Sequence, residues 1–141
     1  MYDIQDEIQE TLDNPRENDN LGSMVCYHRR YNLGDKDKYL PGHYKPNSGD
    51  FWGSDDAGKY LDRVHDLAVC LPIYMIDHSG IAVSTKPFSC PWDSGRIGFI
   101  FVSKDKLRKE YGVKRITASL VDKATRILEA EVEEYNQYLN Q

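Results

Sequence analysis

The residues of this chain that could do chemistry stand in short polar segments rather than in one contiguous motif. Cys90 is the candidate nucleophile, because a Pro-Trp-Asp-Ser-Gly run typical of a loop follows it. A catalytic thiol needs a histidine as its base and an acid that orients the histidine. The chain offers His78 or His28 as the base and Asp93 or Asp77 as the acid. These residues define one hypothesis, a small enzyme that depends on cysteine and histidine.

The sequence around Cys90 favours the alternative, a structural cysteine. Papain-like and caspase-like nucleophiles have characteristic local sequences, and neither of these surrounds Cys90. Free cysteine is also a small apolar residue that is often buried. We therefore predict no catalytic residue, and Cys90, His78 and Asp93 are the residues that would serve if the protein is an enzyme.

The four histidines do not predict a metal site. They are His28, His43, His65 and His78, and with Cys90 they would supply enough ligands. None of the pairs has the close spacing typical of zinc ligands, and the sequence has no C-x-x-C pair. The glycine-rich motifs that cradle phosphates are also missing from the sequence. We predict neither a metal nor a cofactor.

A basic segment predicts a binding surface. Arg29 and Arg30 could grip an anion at the end of a strand, because guanidinium groups match phosphate and carboxylate geometry. The interpretation we favour instead pairs these arginines with Asp35, Asp37 or the acidic N-terminal residues. The residues predicted to bind a partner come from this segment and from other loops: His28, Arg29, Arg30, Tyr31, Asp35, Trp52, His78, Trp92 and Asp93.

The two tryptophans are predicted to differ in exposure. Pro91 sets a turn before Trp92, and the following Asp-Ser-Gly completes a tight connection, so we expect the Trp92 indole to fold inward. Trp52 lies in a glycine-rich and polar region, and we expect it to be the exposed anchor.

The charge of the chain is concentrated at one end. Residues 1–20 hold seven acidic residues against Arg16, a net charge of −6, and the rest of the chain sums to +1. We interpret residues 1–20 as a solvated acidic arm, with a charged docking surface as the alternative. No concentrated basic face is present for phosphate contacts, so we expect no direct nucleic-acid partner.

Length and composition predict one domain over residues 1–141. A hydrophobic fraction of 40% suffices for a single core. No run approaches the ~20 apolar residues that cross a bilayer, so we expect no membrane partner. Three scattered cysteines and an acidic N-terminus without a secretory signal favour reduced thiols in a cytoplasm.

The elements that must position these residues alternate with loops. We predict a helix over 4–13, a long loop over 32–58 and a helix over 57–68 whose apolar face includes Leu61 and Val64. Strands are predicted at Ser23 to His28, Leu71 to Ile76, Ile81 to Thr85 and Ile97 to Val102. Asp77-His78-Ser79-Gly80 reads as a tight turn, and the short connections favour an antiparallel meander. In a meander, His78 and Cys90 lie at opposite ends of the middle strand unless the 86–95 connection folds back.

The C-terminal part predicts two helices. Ser103 can cap a basic helix from Lys104 to Tyr111, which Gly112 ends. A helix over 118–138 carries an apolar stripe made of Leu120, Ala124, Ile127, Leu128, Tyr135 and Leu139. We therefore predict an α+β fold, in which an antiparallel sheet of three to four strands packs against this helix and one or two shorter ones.

Three polar motifs resemble those of a known group of proteins. They are Asn20 to Cys26 with His28 to Asp35, Asp77-His78-Ser79-Gly80, and Phe88 to Gly95 with the following Gly98-Phe99-Ile100. Together they resemble small uncharacterised proteins of bacteriophages, plasmids and other bacterial mobile elements, over most of residues 20–135.

The resemblance implies a cellular context rather than a reaction. Small proteins of mobile elements are often antagonists of host defence, such as anti-CRISPR or antirestriction proteins. We therefore predict an accessory protein that binds and inhibits a host defence protein complex. A small Cys/His-dependent enzyme and an accessory domain without an inhibitory role are the alternatives.

Overall fold

A computed structural model describes residues 13–46, 51–52 and 54–141 of the chain. The described residues form an α+β domain in which one antiparallel sheet lies between helices, as predicted. The strands are β1 (Ser23–Cys26), β2 (Leu67–Asp77), β3 (Ile81–Ser84) and β4 (Ser94–Ser103), in the order β1-β4-β2-β3. The helices are α1 (Asp56–His65), α2 (Lys104–Tyr111) and α3 (Ala118–Leu139), with short 3-10 turns at Pro15–Glu17 and Gly42–Tyr44. The helix predicted over 4–13 lies almost wholly outside the described residues.

The strand order corrects the predicted meander. β2 pairs with β3 through the tight turn that the sequence predicts, and Ser79 and Gly80 both adopt positive φ there. β4 then pairs with β2 rather than with β3, so that Ile76 lies opposite Ser94. Because β3 and β4 are both antiparallel to β2, they run in the same direction. Residues 85–93 therefore return to the end of the sheet at which β3 began.

One face of the sheet forms the larger core with α3 and α2. We call it the α3 core: Met24, Ile73, Met75, Val83, Ile97, Ile100, Val102, Leu107, Ala124, Leu128, Val132 and Tyr135. The predicted helical stripe is confirmed in that Ala124, Leu128 and Tyr135 are buried. The other stripe residues, Leu120, Ile127 and Leu139, pack against this core while partly buried. The stripe as predicted omitted Val132, which is buried.

The opposite face packs on α1 and on the segment before it. This smaller cluster, the α1 core, consists of Val25, Trp52, Ala57, Leu61, Leu67, Phe99 and Phe101. α1 ends at His65, because Asp66 adopts a left-handed conformation, so that Leu67 begins β2 instead of extending the helix. Val64, predicted on the apolar face, is 52% exposed. Most of the fold therefore consists of three layers, with α2 and α3 on one side of the sheet and α1 on the other.

Two register shifts between β2 and β4 decide which side chains enter each core. The first shift lies between Leu67 and Val69 of β2. At the second, Ile73 pairs with Gly98 and Tyr74 pairs with Arg96, so that Ile97 has no partner residue in β2. An extra residue in one strand reverses the alternation of faces. Ile97 consequently joins Ile100 in the α3 core although Phe99, two residues away, is in the α1 core.

A close approach of two strands accounts for one glycine. Gly98 in β4 lies opposite Cys26 of β1, and a Cβ built on Gly98 would stand 2.0 Å from the carbonyl oxygen of Val25. Real side chains do not tolerate that distance, so the pairing of β1 with β4 requires glycine here.

A buried polar cluster attaches the N-terminal segment to the domain. The Arg16 guanidinium donates from Nε to Asp35 at 2.8 Å and from Nη2 to the carbonyl of Gly22 at 2.7 Å. Glu131 of α3 accepts from the backbone amides of Leu21 and Gly22 at 2.8 and 2.9 Å. The end of the predicted acidic arm, from Pro15 onwards, is therefore part of the folded domain.

The helix ends follow local signals. Ser103 accepts a hydrogen bond from the backbone amide of Lys106, and Gly112 ends α2 with φ of 63°, both as predicted. Thr117 caps α3 through the amide of Leu120.

Within the described part of the chain, no helix has a stretch long and apolar enough to cross a bilayer.

Candidate functional site

The two predicted polar loops meet at one end of the sheet. The backbone amide of Asp77, at the end of β2, donates to the carbonyl of Asp93 at 2.9 Å. The contact exists because β4 starts beside the end of β2, so the 85–93 connection must come back to the 78–80 turn. The structure thus brings His78, Cys90, Trp92 and Asp93 together, which the predicted meander did not.

Asp93 stands between the predicted base and the predicted nucleophile. Its Oδ2 lies 3.0 Å from Nδ1 of His78 and 3.9 Å from Sγ of Cys90, which donates to it. The hydroxyl of Ser94 donates to the carbonyl of Cys90 and closes the turn. The order of contacts is thiol, carboxylate, imidazole. Nucleophilic catalysis needs the imidazole next to the thiol and the carboxylate behind it.

The basic segment reaches the same end of the sheet. Arg30 forms an ion pair with Asp77, with Nη2 2.8 Å from Oδ2, and the hydroxyl of Tyr31 lies 3.2 Å from the same oxygen. The His28 and Tyr31 rings are 5.0 Å apart, and the backbone amide of Arg30 donates to Nδ1 of His28. Arg30 therefore pairs with Asp77 at the end of β2 rather than with Asp35 or Asp37, and its predicted pairing with the acidic N-terminal residues stays a prediction.

Asp35 serves the interior rather than the binding surface. Its carboxylate accepts from Arg16, from the backbone amide of Met24 at 2.9 Å and from the hydroxyl of Tyr39 at 3.2 Å. With its side chain 15% exposed and three donors around it, Asp35 stabilises the start of β1. No local signal in the sequence indicates this role, because Arg16 and Asp35 are 19 residues apart.

Both predictions of tryptophan exposure are wrong. Trp52 is only 8% exposed, because its indole packs in the α1 core 5.4 Å from the ring of Phe99 and edge-on to Tyr27. Its Nε1 donates to the carbonyl of Tyr44 at 2.6 Å. Trp92 is 84% exposed and lies in the connection that directly precedes β4.

Among the described residues, neither a cluster of metal ligands nor the Cys26 thiol supplies a reactive group. They contain no group of three or more histidine, cysteine, aspartate and glutamate side chains that could hold a metal ion. Cys26 is buried in β1, and burial raises the pKa of its thiol to about 12. A thiol of that kind stays protonated at neutral pH and is inert as a nucleophile.

Comparisons of the chain with protein-family models, with curated proteins and with solved structures found no match. The resemblance of its polar motifs to proteins of mobile elements therefore stays a prediction from those motifs. The geometry at the end of the sheet is the basis for a functional proposal.

Proposed function

We propose that this protein is a stoichiometric binding protein that inhibits a host defence protein by covering part of its surface, with Trp92 as the central contact. The observation that carries the proposal is the exposure of the Trp92 side chain on a turn that hydrogen bonds hold to the sheet. Tryptophan is strongly enriched among the residues that dominate the energy of protein interfaces.

The neighbours of Trp92 have the composition of an interface rim. We define the Trp92 surface as Trp92 with His78, Asp93, Arg30 and Asp77. Charged and polar groups around an aromatic anchor exclude water from the contact and set its orientation. The ion pair between Arg30 and Asp77 and the contact between His78 and Asp93 fix these groups before a partner arrives. Preorganised groups lose less conformational entropy on binding.

The contacts of Cys90 support binding rather than turnover. Its thiol faces the carboxylate of Asp93, and the imidazole of His78 lies on the other side of that carboxylate. The group next to this thiol is thus a carboxylate, a weaker base than the imidazole that activates catalytic cysteines. The enzyme hypothesis would require the His78 ring to leave Asp93 and reach Sγ.

The class of partner comes from the sequence resemblance. Proteins of bacterial mobile elements act in the cytoplasm of the host, where CRISPR and restriction complexes also act. The absence of a dedicated catalytic arrangement at the Trp92 surface fits an inhibitor that works by occupying a surface.

The test is substitution of Trp92 in an inhibition assay. We expect Trp92→Ala to weaken binding to the target at least about 30-fold, the loss that defines a hot-spot residue. Phage or plasmid survival should be measured in hosts that carry one defined CRISPR or restriction system each, with purified target used to titrate the inhibitor. Melting temperatures of both forms should agree, since Trp92 has no core contacts to lose.

Val64→Ala is the matched control, because Val64 is also an exposed apolar residue but belongs to α1. It should leave inhibition unchanged. Equal inhibition by the wild type and Trp92→Ala would remove this surface from the mechanism. Inhibition by amounts of protein far below those of the target would reject stoichiometric blocking in favour of turnover.

A further inference from the structure

A cationic cleft lies between the strand-end segment 26–32 and the segment that follows it. Its volume is about 470 Å³, within the range of small-molecule sites. Arg29, Arg30, Lys38 and Lys45 line it together with the rings of Tyr27 and Tyr31. None of the described residues that line it is acidic. Because Arg30 is already paired with Asp77, the preference for an anionic ligand rests on Lys38 and Lys45.

Lys38 is held in place by uncharged groups. Its ammonium donates to the carbonyl of Leu33 at 2.7 Å and to the carbonyl of Cys26 at 3.2 Å. An ammonium has three donors, so one N–H remains for a ligand. Carbonyl oxygens orient the ammonium without cancelling its charge, as a carboxylate would.

Lys45 brings a second ammonium to the same ring. The Nζ atoms of Lys45 and Lys38 lie 5.2 and 5.7 Å from the centre of the Tyr27 ring. Tyr27 is itself fixed, since its backbone amide donates to the carbonyl of Ile97 and its ring packs edge-on against Trp52. Two like charges are thus gathered around one rigid aromatic side chain.

The electrostatics of Lys38 agree with this geometry. Burial lowers the pKa of its ammonium, Cys26 and Asp35 act in the opposite direction, and Lys45 adds the smallest effect, a lowering. A negative ligand beside Lys38 would favour the charged form of its ammonium.

We propose that this cleft is a binding site for a phosphate-bearing small molecule, with Lys38 and Lys45 as the groups that hold the phosphate. A multiply charged oxyanion makes charge-assisted hydrogen bonds with both ammonium groups at once. The cleft extends beyond these two groups towards Tyr31, and this space accommodates the body of the ligand. The cleft shares Arg30 with the Trp92 surface, but Trp92 itself does not line it.

The experiment is calorimetric titration of the full chain with pyrophosphate and with adenosine monophosphate, at constant ionic strength adjusted with sodium chloride. We expect saturable binding of one ligand per chain. Lys45→Gln should weaken binding about tenfold or more, because it removes one charge-assisted contact and leaves the fold in place. Lys114→Gln makes the same change of charge at an exposed position outside the cleft and should bind like the wild type.

Two further measurements test where the ligand binds. Amide chemical shifts in a nitrogen–proton NMR titration should move at Tyr27, Lys38 and Lys45, and shifts located elsewhere would overturn the assignment. Trp92→Ala should bind pyrophosphate as the wild type does, which separates this site from the docking surface.

Equal affinities of Lys45→Gln and Lys114→Gln would overturn the proposal, as would binding that only follows ionic strength. Binding of a single-stranded oligonucleotide without binding of pyrophosphate or adenosine monophosphate would also overturn it, in favour of a nucleic-acid contact.

Discussion

At the scale of single residues, Asp93 is the point at which two polar loops meet. Its main-chain carbonyl accepts from the amide of Asp77, and its carboxylate accepts from Cys90 and contacts His78. These contacts hold the turn that carries Trp92 and leave the indole in solvent. Asp93 therefore positions the turn that carries Trp92, and the Cys90 thiol is one of the groups that donate to it.

The role of Cys90 can be tested by conservative substitution. We expect Cys90→Ser to inhibit the target within about twofold of the wild type, because a hydroxyl can also donate to the Asp93 carboxylate. The measurement is the same titration of purified target, with Trp92→Ala as the inactive reference. Complete loss of inhibition in a Cys90→Ser protein of unchanged melting temperature would favour the enzyme hypothesis.

At the scale of elements, the amphipathic α3 provides most of the cover for the larger core. Leu128 is fully buried near the middle of this helix, and Val132 and Tyr135 extend the contact towards its end. The helix also supplies Asn136, whose side chain accepts from the backbone amide of Val83 at 2.9 Å. This bond occupies a backbone group of the edge strand β3, which would otherwise be available to another chain.

Truncation of Leu128 should therefore destabilise the whole domain. We expect Leu128→Ala to lower the free energy of unfolding by about 2–5 kcal/mol, the range for a buried leucine replaced by alanine. Urea denaturation followed by circular dichroism gives the measurement. Glu133→Ala, at an exposed position of the same helix, should change stability by less than about 0.5 kcal/mol. An unchanged midpoint for Leu128→Ala would contradict the packing of α3 on the sheet.

At the scale of the whole molecule, the described part of the acidic segment, residues 13–20, and the Trp92 surface lie at opposite ends of the sheet. β1 begins opposite Phe101, near the end of β4, whereas Trp92 precedes the start of β4. The carbonyl of Asn20 accepts from Lys106 of α2, which follows β4 directly. Asp13, Glu17 and Asp19, which belong to that segment, would act on a partner at the Trp92 surface through long-range attraction rather than through direct contact.

A charge-neutralised variant tests this long-range effect. We expect the combined substitutions Asp13→Asn, Glu17→Gln and Asp19→Asn, all at exposed positions, to slow association with the target severalfold at low salt and to leave dissociation unchanged, because steering acts before contact. The difference should shrink as salt rises, since the Debye length falls to about 8 Å at physiological ionic strength. Surface plasmon resonance at several salt concentrations measures both rates.

The acidic residues would be absent from the mechanism if the wild type and the neutralised protein associated at equal rates at every salt concentration. The matched control neutralises Glu133 and Glu134 on α3, which removes acidic charge from an exposed helical surface instead of the N-terminal segment.

The sequence by itself determined the features that depend on neighbouring residues. The cap at Ser103, the end of α2 at Gly112, the turn at residues 77–80 and the apolar stripe of α3 are all set within a few residues of the chain. The α+β class and the number of strands follow from these local patterns, which is why they were predicted correctly.

Only the tertiary structure decided the features that depend on contacts between distant segments. The pairing of β4 with β2 brought Cys90 and His78 to one carboxylate, and the shift at Ile97 sorted the side chains of β4 between the two cores. Trp52 is buried because a distant strand supplies Phe99, and Trp92 is exposed on the connection that precedes β4. The physical reason is that strand register and burial are properties of pairs of segments, whereas turns and caps are properties of one.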